Sequence, residues 1–296
     1  MNFKAIPCPT RWEGVIVGAW IVLADVLMLT WALLRPVDWL KYLLMVAILA
    51  SLPLLSYVAY RTWSAFSLEY WVDRNAVTIS WANVRQTIPM GRIQRIIREG
   101  VEELGAPAWY HWPGPHIRPT RGLGLLNLSL MATRPLSDCL VMDTGDALFA
   151  ISPERQDEFL TALQERYRLG PVAPVQQEMV RTSYWRRLFG NDQAGTLLIA
   201  LGLAGVLMLF GVLMVSYPDL PDVLVYHYNS EGIPDVVRSK ASLFLLPAVG
   251  FLAWVVNGVW GMWMSVRQQR TGAYMLWGGT LIVQIFSMLA LRSLIQ

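Results

Sequence analysis

Residues 195–216 read GTLLIALGLAGVLMLFGVLMVS and contain no charged side chain. An α-helix rises about 1.5 Å per residue, so a run of this length covers the roughly 30 Å hydrocarbon core of a bilayer. The stretch therefore predicts a transmembrane helix. The whole chain agrees with this prediction, because 55% of its residues are apolar and 15% are charged, whereas about a quarter of the residues of soluble proteins are charged.

Four further runs have the same character and predict a polytopic membrane protein. The first run is too long for the core of a signal peptide, and a second span follows it directly. The five predicted spans are residues 14–34, 39–60, 195–216, 242–266 and 272–294.

The positions of the basic residues predict the orientation of these spans. Of the 24 Lys and Arg residues, 15 lie between Arg61 and Arg187, and all 15 are Arg. Since basic segments stay in the cytoplasm, we expect the N-terminus and the central segment to be cytoplasmic, with the loop 217–241 and the C-terminus outside. Cys8 and Cys139 would then face a reducing compartment, so no disulfide is expected.

The segment between the second and third spans has the pattern of a small β domain. Its apolar residues alternate in short runs, which the turn-forming stretches 73–75 and 144–146 separate. Ser152-Pro153-Glu154 then predicts the start of a helix with Ser152 as its N-cap. We expect a small antiparallel sheet closed by one C-terminal helix. The predicted strands are residues 67–73, 76–81, 85–89, 123–133, 138–144 and 146–151.

Three stretches of this segment carry a resemblance to a known family. IPMGRIQRI (88–96), VMDTGDALFAISP (141–153) and EFLTALQERY (158–167) resemble the bacterial pleckstrin-homology-like (PH-like) domains of membrane-tethered proteins. The resemblance covers about residues 61–170, with an insertion at 99–122. It implies a PH-like interaction module at the bacterial cytoplasmic (inner) membrane.

A second resemblance lies in the loop between the third and fourth spans. DLPDVLVYHYNSEGIPDVVRSKASLFLLP (219–247) is similar to the loop of a domain of unknown function in SdpI-type immunity and signalling proteins. The resemblance implies a module over about residues 195–266. The matching positions are Leu220, Pro221, His227, Asn229, Gly232, Pro234, Asp235, Lys240 and Pro247.

The predicted fold class is a membrane α-helical bundle of five transmembrane helices with an inserted small antiparallel β domain, capped by one C-terminal helix. Residues 1–60 form the N-terminal tail and the first two helices, and residues 61–170 form the cytoplasmic PH-like domain. A linker follows at 171–194. Residues 195–296 form the last three helices with the extracytoplasmic loop 217–241.

Two hypotheses are open for the polar residues of this loop. Imidazole and carboxylate groups are metal ligands, which makes His227 and Asp235 weak candidates for a metal site. The alternative is that the residues shape a turn, since 229–232 is turn-forming and Pro234 favours an extended backbone before it. We prefer the second hypothesis and expect no metal or cofactor. The residues assigned to the structure of the loop, or to a partner contact, are His227, Asn229, Gly232, Pro234 and Asp235.

Asp25 lies near the middle of the first predicted span. An ionised carboxylate there costs about 2.5–3.5 kcal/mol on insertion scales, so such a residue points to a role. We expect a helix-packing or partner contact, with a hydrogen bond to Asn257 or Gln284 as one option, in preference to proton transfer.

Two more segments have two interpretations each. Trp109, Tyr110, His111 and Trp112 form either a docking surface, on a partner or at the membrane interface, or a loop that covers the sheet. The basic residues of 92–98 form either a site for lipid headgroups or a solvated edge, and we prefer the edge.

No HExxH, GxSxG, CxxC or Gly-rich phosphate loop occurs, so we expect no enzyme. Residues 61–193 hold 15 basic and 14 acidic residues, and this balance of +1 argues against nucleic acid as a partner. The expected partners are the lipid bilayer and other membrane protein subunits, with the protein as a regulatory or accessory subunit. The alternative is an SdpI-like immunity or signal-transducing protein that recognises a secreted peptide through loop 217–241.

Overall fold

The computed structural model of the protein describes residues 1–98, 109–121, 127–181, 192–228 and 234–295. The chain forms two compact units. The first, the β unit, comprises Met1–Ala24 and Ser51–Thr182, and the second, the helical unit, comprises Asp25–Ala50 and Ser183–Gln296.

Within the described residues, five helices are long and apolar enough to cross a membrane, which confirms the five predicted spans. Of the described α-helices, all except α3 belong to this set. In chain order the α-helices are α1 (Arg11–Leu34), α2 (Trp39–Phe66), α3 (Gln156–Leu169), α4 (Gln193–Ser216), α5 (Leu245–Val266) and α6 (Arg270–Ile295).

The described strands form two five-stranded sheets and one separate hairpin. The predicted fold class is thereby confirmed in its central β domain and closing helix. In chain order the strands are β1 (Asn2–Lys4), β2 (Glu69–Val72), β3 (Ala76–Trp81), β4 (Val84–Pro89), β5 (Arg95–Ile97), β6 (Ile117–Arg121), β7 (Asn127–Met131), β8 (Leu140–Asp143), β9 (Ala147–Ile151), β10 (Glu178–Arg181), β11 (Val223–Tyr228) and β12 (Pro234–Ser239).

The first sheet has the order β1-β2-β3-β4-β10, and all of its pairs are antiparallel. Its two edge strands come from outside the predicted β domain: β1 lies in the predicted N-terminal tail and β10 in the predicted linker. Both strands are short and far along the chain from their partners. A local alternation of apolar residues therefore could not reveal them.

The second sheet has the order β5-β8-β9-β7-β6 and contains one parallel pair, β7 with β9. Gly145 allows the tight turn between β8 and β9, because its φ of +83° is one that residues with a Cβ rarely adopt. The predicted turn at 144–146 is thus confirmed. The parallel pair was not predicted, since local periodicity carries no information on the direction of a distant partner.

The core of the β unit lies between the two sheets and α3. Tyr70, from the first sheet, and Phe159, from α3, are fully buried and meet edge to face at 6.4 Å. The hydroxyl of Tyr70 donates to the carbonyl oxygen of Met131 at 2.7 Å and accepts from the backbone N–H of Ser152 at 3.1 Å. Burial raises the pKa of Tyr70 well above its ordinary value, so the phenol stays neutral.

The predicted N-cap at Ser152 is wrong. The helix α3 begins at Gln156, and its N-cap residue Arg155 makes no side-chain cap bond. Ser152 instead lies in the core, where its hydroxyl accepts from the backbone N–H of Thr133 at 2.9 Å. A short polar side chain at the end of a strand here takes part in the hydrogen-bond network of the core. The local sequence does not distinguish this arrangement from a helix cap.

In the helical unit, glycines allow α4, α5 and α6 to approach one another closely. A Cβ on Gly202 would lie 2.7 Å from the Trp254 ring, and one on Gly261 would lie 2.3 Å from Nε1 of Trp277. Buried polar side chains add hydrogen bonds between helices. Nε2 of Gln284 donates to the carbonyl oxygen of Gly202 at 2.7 Å.

Candidate functional site

Arg61 is a buried charge in the last turns of α2, within the β unit. Its guanidinium donates to the carbonyl oxygen of Ile117 at 3.0 Å and to the carbonyl oxygens of His111 and Gly114. A buried charge is costly unless it is hydrogen-bonded, and these three carbonyls meet that need. Arg61 therefore fastens residues 111–117, which we call the clamped loop, to α2.

The first turn of α1 holds the same loop from a second side. Oγ1 of Thr10, just before α1, accepts from the backbone N–H of Gly114 at 3.2 Å, and Glu13 accepts from Nε1 of Trp112 at 3.0 Å. Gly14 completes the contact, because a Cβ there would lie only 2.7 Å from Cγ of Pro113. The clamped loop is thus bound to both helices where they enter the β unit.

The four aromatic residues predicted as a docking surface therefore differ in their surroundings. Trp112 packs in the clamped loop, and His111 lends its carbonyl oxygen to Arg61. Trp109 and Tyr110 are exposed, by 88% and 53%. The backbone of Tyr110 is fixed all the same, because its carbonyl oxygen accepts a hydrogen bond from the hydroxyl of Tyr57 in α2. A docking role for Trp109, Tyr110, His111 and Trp112 stays a prediction.

The first sheet turns one face away from the core, and we call it the outer face. It carries Trp71 on β2, Thr78 and Ser80 on β3, and Arg85 on β4, with Trp71 opposite Thr78 and Ser80 opposite Arg85 in the register. Trp71 is 47% exposed and Arg85 is also exposed. Together with Met1 and Asp73, these side chains line a shallow depression of about 390 Å³. Sequence reasoning did not single out this face, although the alternation in EYWV marks Trp71 as outward-facing.

The arginines of residues 92–98 all have acidic partners. Arg92 lies 2.9 Å from Asp146, Arg95 lies 2.7 Å from Asp143, and Arg98 lies 2.9 Å from Asp157. All three arginine side chains are more than half exposed. The arrangement fits a solvated, charge-balanced edge better than a site for an anionic headgroup.

Asp143 is the buried member of this edge. Its Oδ1 accepts from the backbone N–H of Gly145 at 2.8 Å. This hydrogen bond, followed by the bond from the Arg95 guanidinium, holds the pKa of Asp143 below its ordinary value. The carboxylate therefore ties β8 and its turn to β5.

The helical unit contains Asp25, which is half-buried on α1. Its two proposed hydrogen-bond partners are engaged elsewhere. Nδ2 of Asn257 donates to Oγ1 of Thr280 at 3.1 Å, and Nε2 of Gln284 donates to Gly202. A role of Asp25 in helix packing or in a partner contact stays a prediction.

The loop 217–241 contains the antiparallel hairpin of β11 and β12. His227 lies on β11, where its backbone is paired with Val236, and Pro234 opens β12 opposite Tyr228. Asp235 is exposed, as is every residue of β12. The predicted turn at Asn229 and Gly232 lies outside the described residues. In the part of the chain that the structure describes, no three His, Cys, Asp or Glu side chains form a metal-binding group.

Sequence reasoning missed several residues that hold these sites together. In the sequence Arg61 is only the first of the 15 arginines of the central segment, since nothing local shows which carbonyls it meets. The sequence likewise gives no sign that Gly14 contacts Pro113. Asp192 could have been found, because an Asp just before an apolar helix is an N-cap signal: its Oδ1 accepts from the backbone N–H of Gly195 at 2.9 Å.

Comparison with known families assigns both modules. The five membrane-crossing helices and the inserted β unit define a membrane protein with a PH-like domain. Residues 68–167 match the family described as bacterial PH domain, and residues 204–251 match the domain of unknown function DUF1648, which is found in SdpI-type proteins. Both resemblances seen in the sequence are thereby confirmed. Neither the curated proteins nor the solved structures yielded a match.

Proposed function

We propose that this membrane protein is not an enzyme and acts as a regulatory or accessory subunit, docking another membrane protein through the outer face of its bacterial PH domain. The observation that carries the proposal is the exposure of Trp71 and Arg85 on one face of the first sheet, on β2 and β4 with β3 between them. Trp and Arg dominate the binding energy of protein interfaces. The short side chains Thr78 and Ser80 between them leave room for a partner's side chain.

The way the domain is held supports the same function. β1 pairs with β2 at the edge of the first sheet, and the N-terminal ammonium of Met1 donates to the carbonyl oxygen of Val72 at 2.9 Å. The chain between β1 and α1 is only a few residues long, so the outer face is kept close to the start of a membrane helix. A face that is already ordered loses little entropy on binding.

The proposed orientation puts this face in the cytoplasm. It rests on the 15 arginines between Arg61 and Arg187 and on the smaller number of basic residues in loop 217–241. We place the N-terminus and the PH domain on the cytoplasmic side of a bacterial inner membrane and the C-terminus outside. A reporter that is active only outside the membrane should work at the C-terminus and be silent at the N-terminus.

Native purification in mild detergent tests the docking function. We expect the full chain to leave the membrane with one partner at a fixed ratio. The double variant Trp71→Ala/Arg85→Ala should lose that partner while its thermal unfolding stays unchanged. Trp109→Ala, which removes a still more exposed Trp outside the outer face, is the control and should keep it. A partner retained by the double variant, or no partner with the natural chain, would contradict the proposal.

A second function is favoured by the hairpin of β11 and β12. Every residue of β12 is exposed, and β11 and β12 pair only with each other among the described strands. Each strand therefore offers an open edge to which an extended peptide could add. This arrangement suits an SdpI-like immunity or signal-transducing protein that recognises a secreted peptide.

Cells that express the chain should then survive a secreted toxic peptide better than cells that lack it. Val237→Pro, which removes a backbone N–H of β12, should abolish this protection. Val237→Thr keeps that backbone N–H. It is the control and should keep the protection. Survival that is the same with and without the chain would rule out this second function.

A further inference from the structure

We propose that Trp109 and Tyr110 insert into the headgroup region of the membrane on the side of the PH domain. The ligand of this site is the lipid surface itself. The domain would then contact the bilayer surface beside α1 and α2. This site is separate from the outer face, and the proposal does not depend on a protein partner.

The length of α2 gives the depth of the site. The ion pair between Arg35 and Asp38 marks the polar end of the link that precedes α2. Counted from Trp39, the hydrocarbon core takes up about 20 residues, which ends it close to Tyr57. The remaining part of α2, through Phe66, extends beyond the core. The hydroxyl of Tyr57 is bonded to the backbone of Tyr110, so Tyr110 lies at the boundary of the core.

The length of α1 gives the same depth independently. Counted back from Leu34, about 20 residues reach Val15. Glu13 and Gly14 therefore lie just outside the core. These are the residues that contact Trp112 and Pro113 of the clamped loop. Both helices thus place this segment at the interface between hydrocarbon and water.

The exposed side chains at this level have the chemistry of that interface. Trp and Tyr are enriched there because each has an apolar ring and a polar group. The rings of Trp109 and Tyr110 meet edge to face at 5.9 Å and form one apolar surface. Trp12 and Trp63 are exposed on the same ends of α1 and α2, and Arg11 lies beside Phe66 with its guanidinium 5.0 Å from the ring.

The attachment of the loop keeps this surface in place. Arg61, Thr10 and Glu13 all bind the residues that follow Tyr110. The segment that carries the two rings is therefore held at the surface of the β unit, where both side chains are exposed. In water they would remain as exposed apolar surface, whereas in the headgroup region they are partly removed from water.

A fluorescent label on position 109 tests the proposal in the full chain. Cys8 and Cys139 are both buried and are replaced by Ala, and bimane is attached to Trp109→Cys. The protein is placed in liposomes whose lipids carry bromine on the acyl chain near the headgroup. Tyr167→Cys on α3, 59% exposed, is the control for water, and Leu27→Cys on α1, 60% exposed, is the control for lipid.

We expect at least a twofold loss of fluorescence at positions 109 and 27 and none at 167. Tyr110→Cys repeats the measurement in case a label at 109 disturbs its neighbour. If 109 and 110 both behave like 167 while 27 is quenched, the proposal is overturned. Loss of the partner in Trp71→Ala/Arg85→Ala would leave these results unchanged, so the two proposals fail separately.

Discussion

Arg61 in α2 donates a 3.0 Å hydrogen bond to the carbonyl oxygen of Ile117, the first residue of β6. A membrane-crossing helix is thereby fastened to a strand of the PH domain through a buried charge. The same guanidinium serves His111 and Gly114. Residues far apart in the sequence form one structural joint.

Arg61→Ala should loosen this joint. Three carbonyl oxygens lose their donor, and we expect a destabilisation of about 2–4 kcal/mol, because hydrogen bonds to buried charged groups are strong. The measurement is the unfolding temperature in detergent together with the rate of proteolysis within residues 109–117. Arg74→Ala is the matched control, since Arg74 also donates to two carbonyls but on the surface. Equal effects of the two variants would contradict the account.

Gly14→Ala should damage the same joint from the side of α1. The added methyl group would meet Oγ1 of Thr62 at 2.3 Å and the Pro113 ring at 2.7 Å. Overpacking of this kind costs about 1–3 kcal/mol. Gly18→Ala on the same helix meets nothing within 4 Å and should leave the unfolding temperature unchanged. Two variants of equal stability would show that the clamped loop does not pack on α1.

A second pair of glycines tests the helical unit. Gly261→Ala should force α5 and α6 apart, because its methyl group would lie 2.3 Å from Nε1 of Trp277. Gly258→Ala, less than one turn away on α5, has open space and should be tolerated. The unfolding temperature in detergent should fall only for Gly261→Ala. If Gly258→Ala were as damaging, the interface between α5 and α6 would be placed incorrectly.

The stability of the PH domain should depend on Asp143 at acid pH. The folded-state pKa of Asp143 lies below its unfolded value of about 3.9. Its carboxylate therefore stabilises the fold fully above that value, and the contribution is lost as the pH falls through the folded pKa. Asp143→Asn should lower the unfolding temperature at pH 7, and the gap from the natural chain should narrow as the pH falls below about 3.9. A gap that is constant with pH would show that the charge plays no part.

The sequence predicted those features that depend on local pattern. Long apolar runs identified the five spans, and the turn at Gly145 was recognised from its residues. Features that depend on distant contacts were missed, such as the pairing of β1 with β2 and the parallel pairing of β7 with β9. Ser152 shows the limit most clearly. Its sequence context matches a helix cap, but a bond to Thr133 in the core determines its place.

The candidate sites divide in the same way. Exposure of Trp109 and Tyr110 agrees with the predicted aromatic docking surface, but its attachment to α2 through Tyr57 could not be read from the sequence. The outer face was missed entirely, because Trp71 becomes a candidate only when Arg85 is seen on the same face of the sheet, two strands away. The position of the two side chains on one face depends on the order and register of the strands.

The docking role of the outer face is tested most directly by a photo-crosslinker at Thr78, in the centre of that face, in intact membranes. The account predicts a crosslink to the same protein that purifies with the chain, and none from Thr161 on α3, which packs against the other side of the first sheet. A crosslinker at Thr78 that reaches no protein, while the complex still forms, would contradict it.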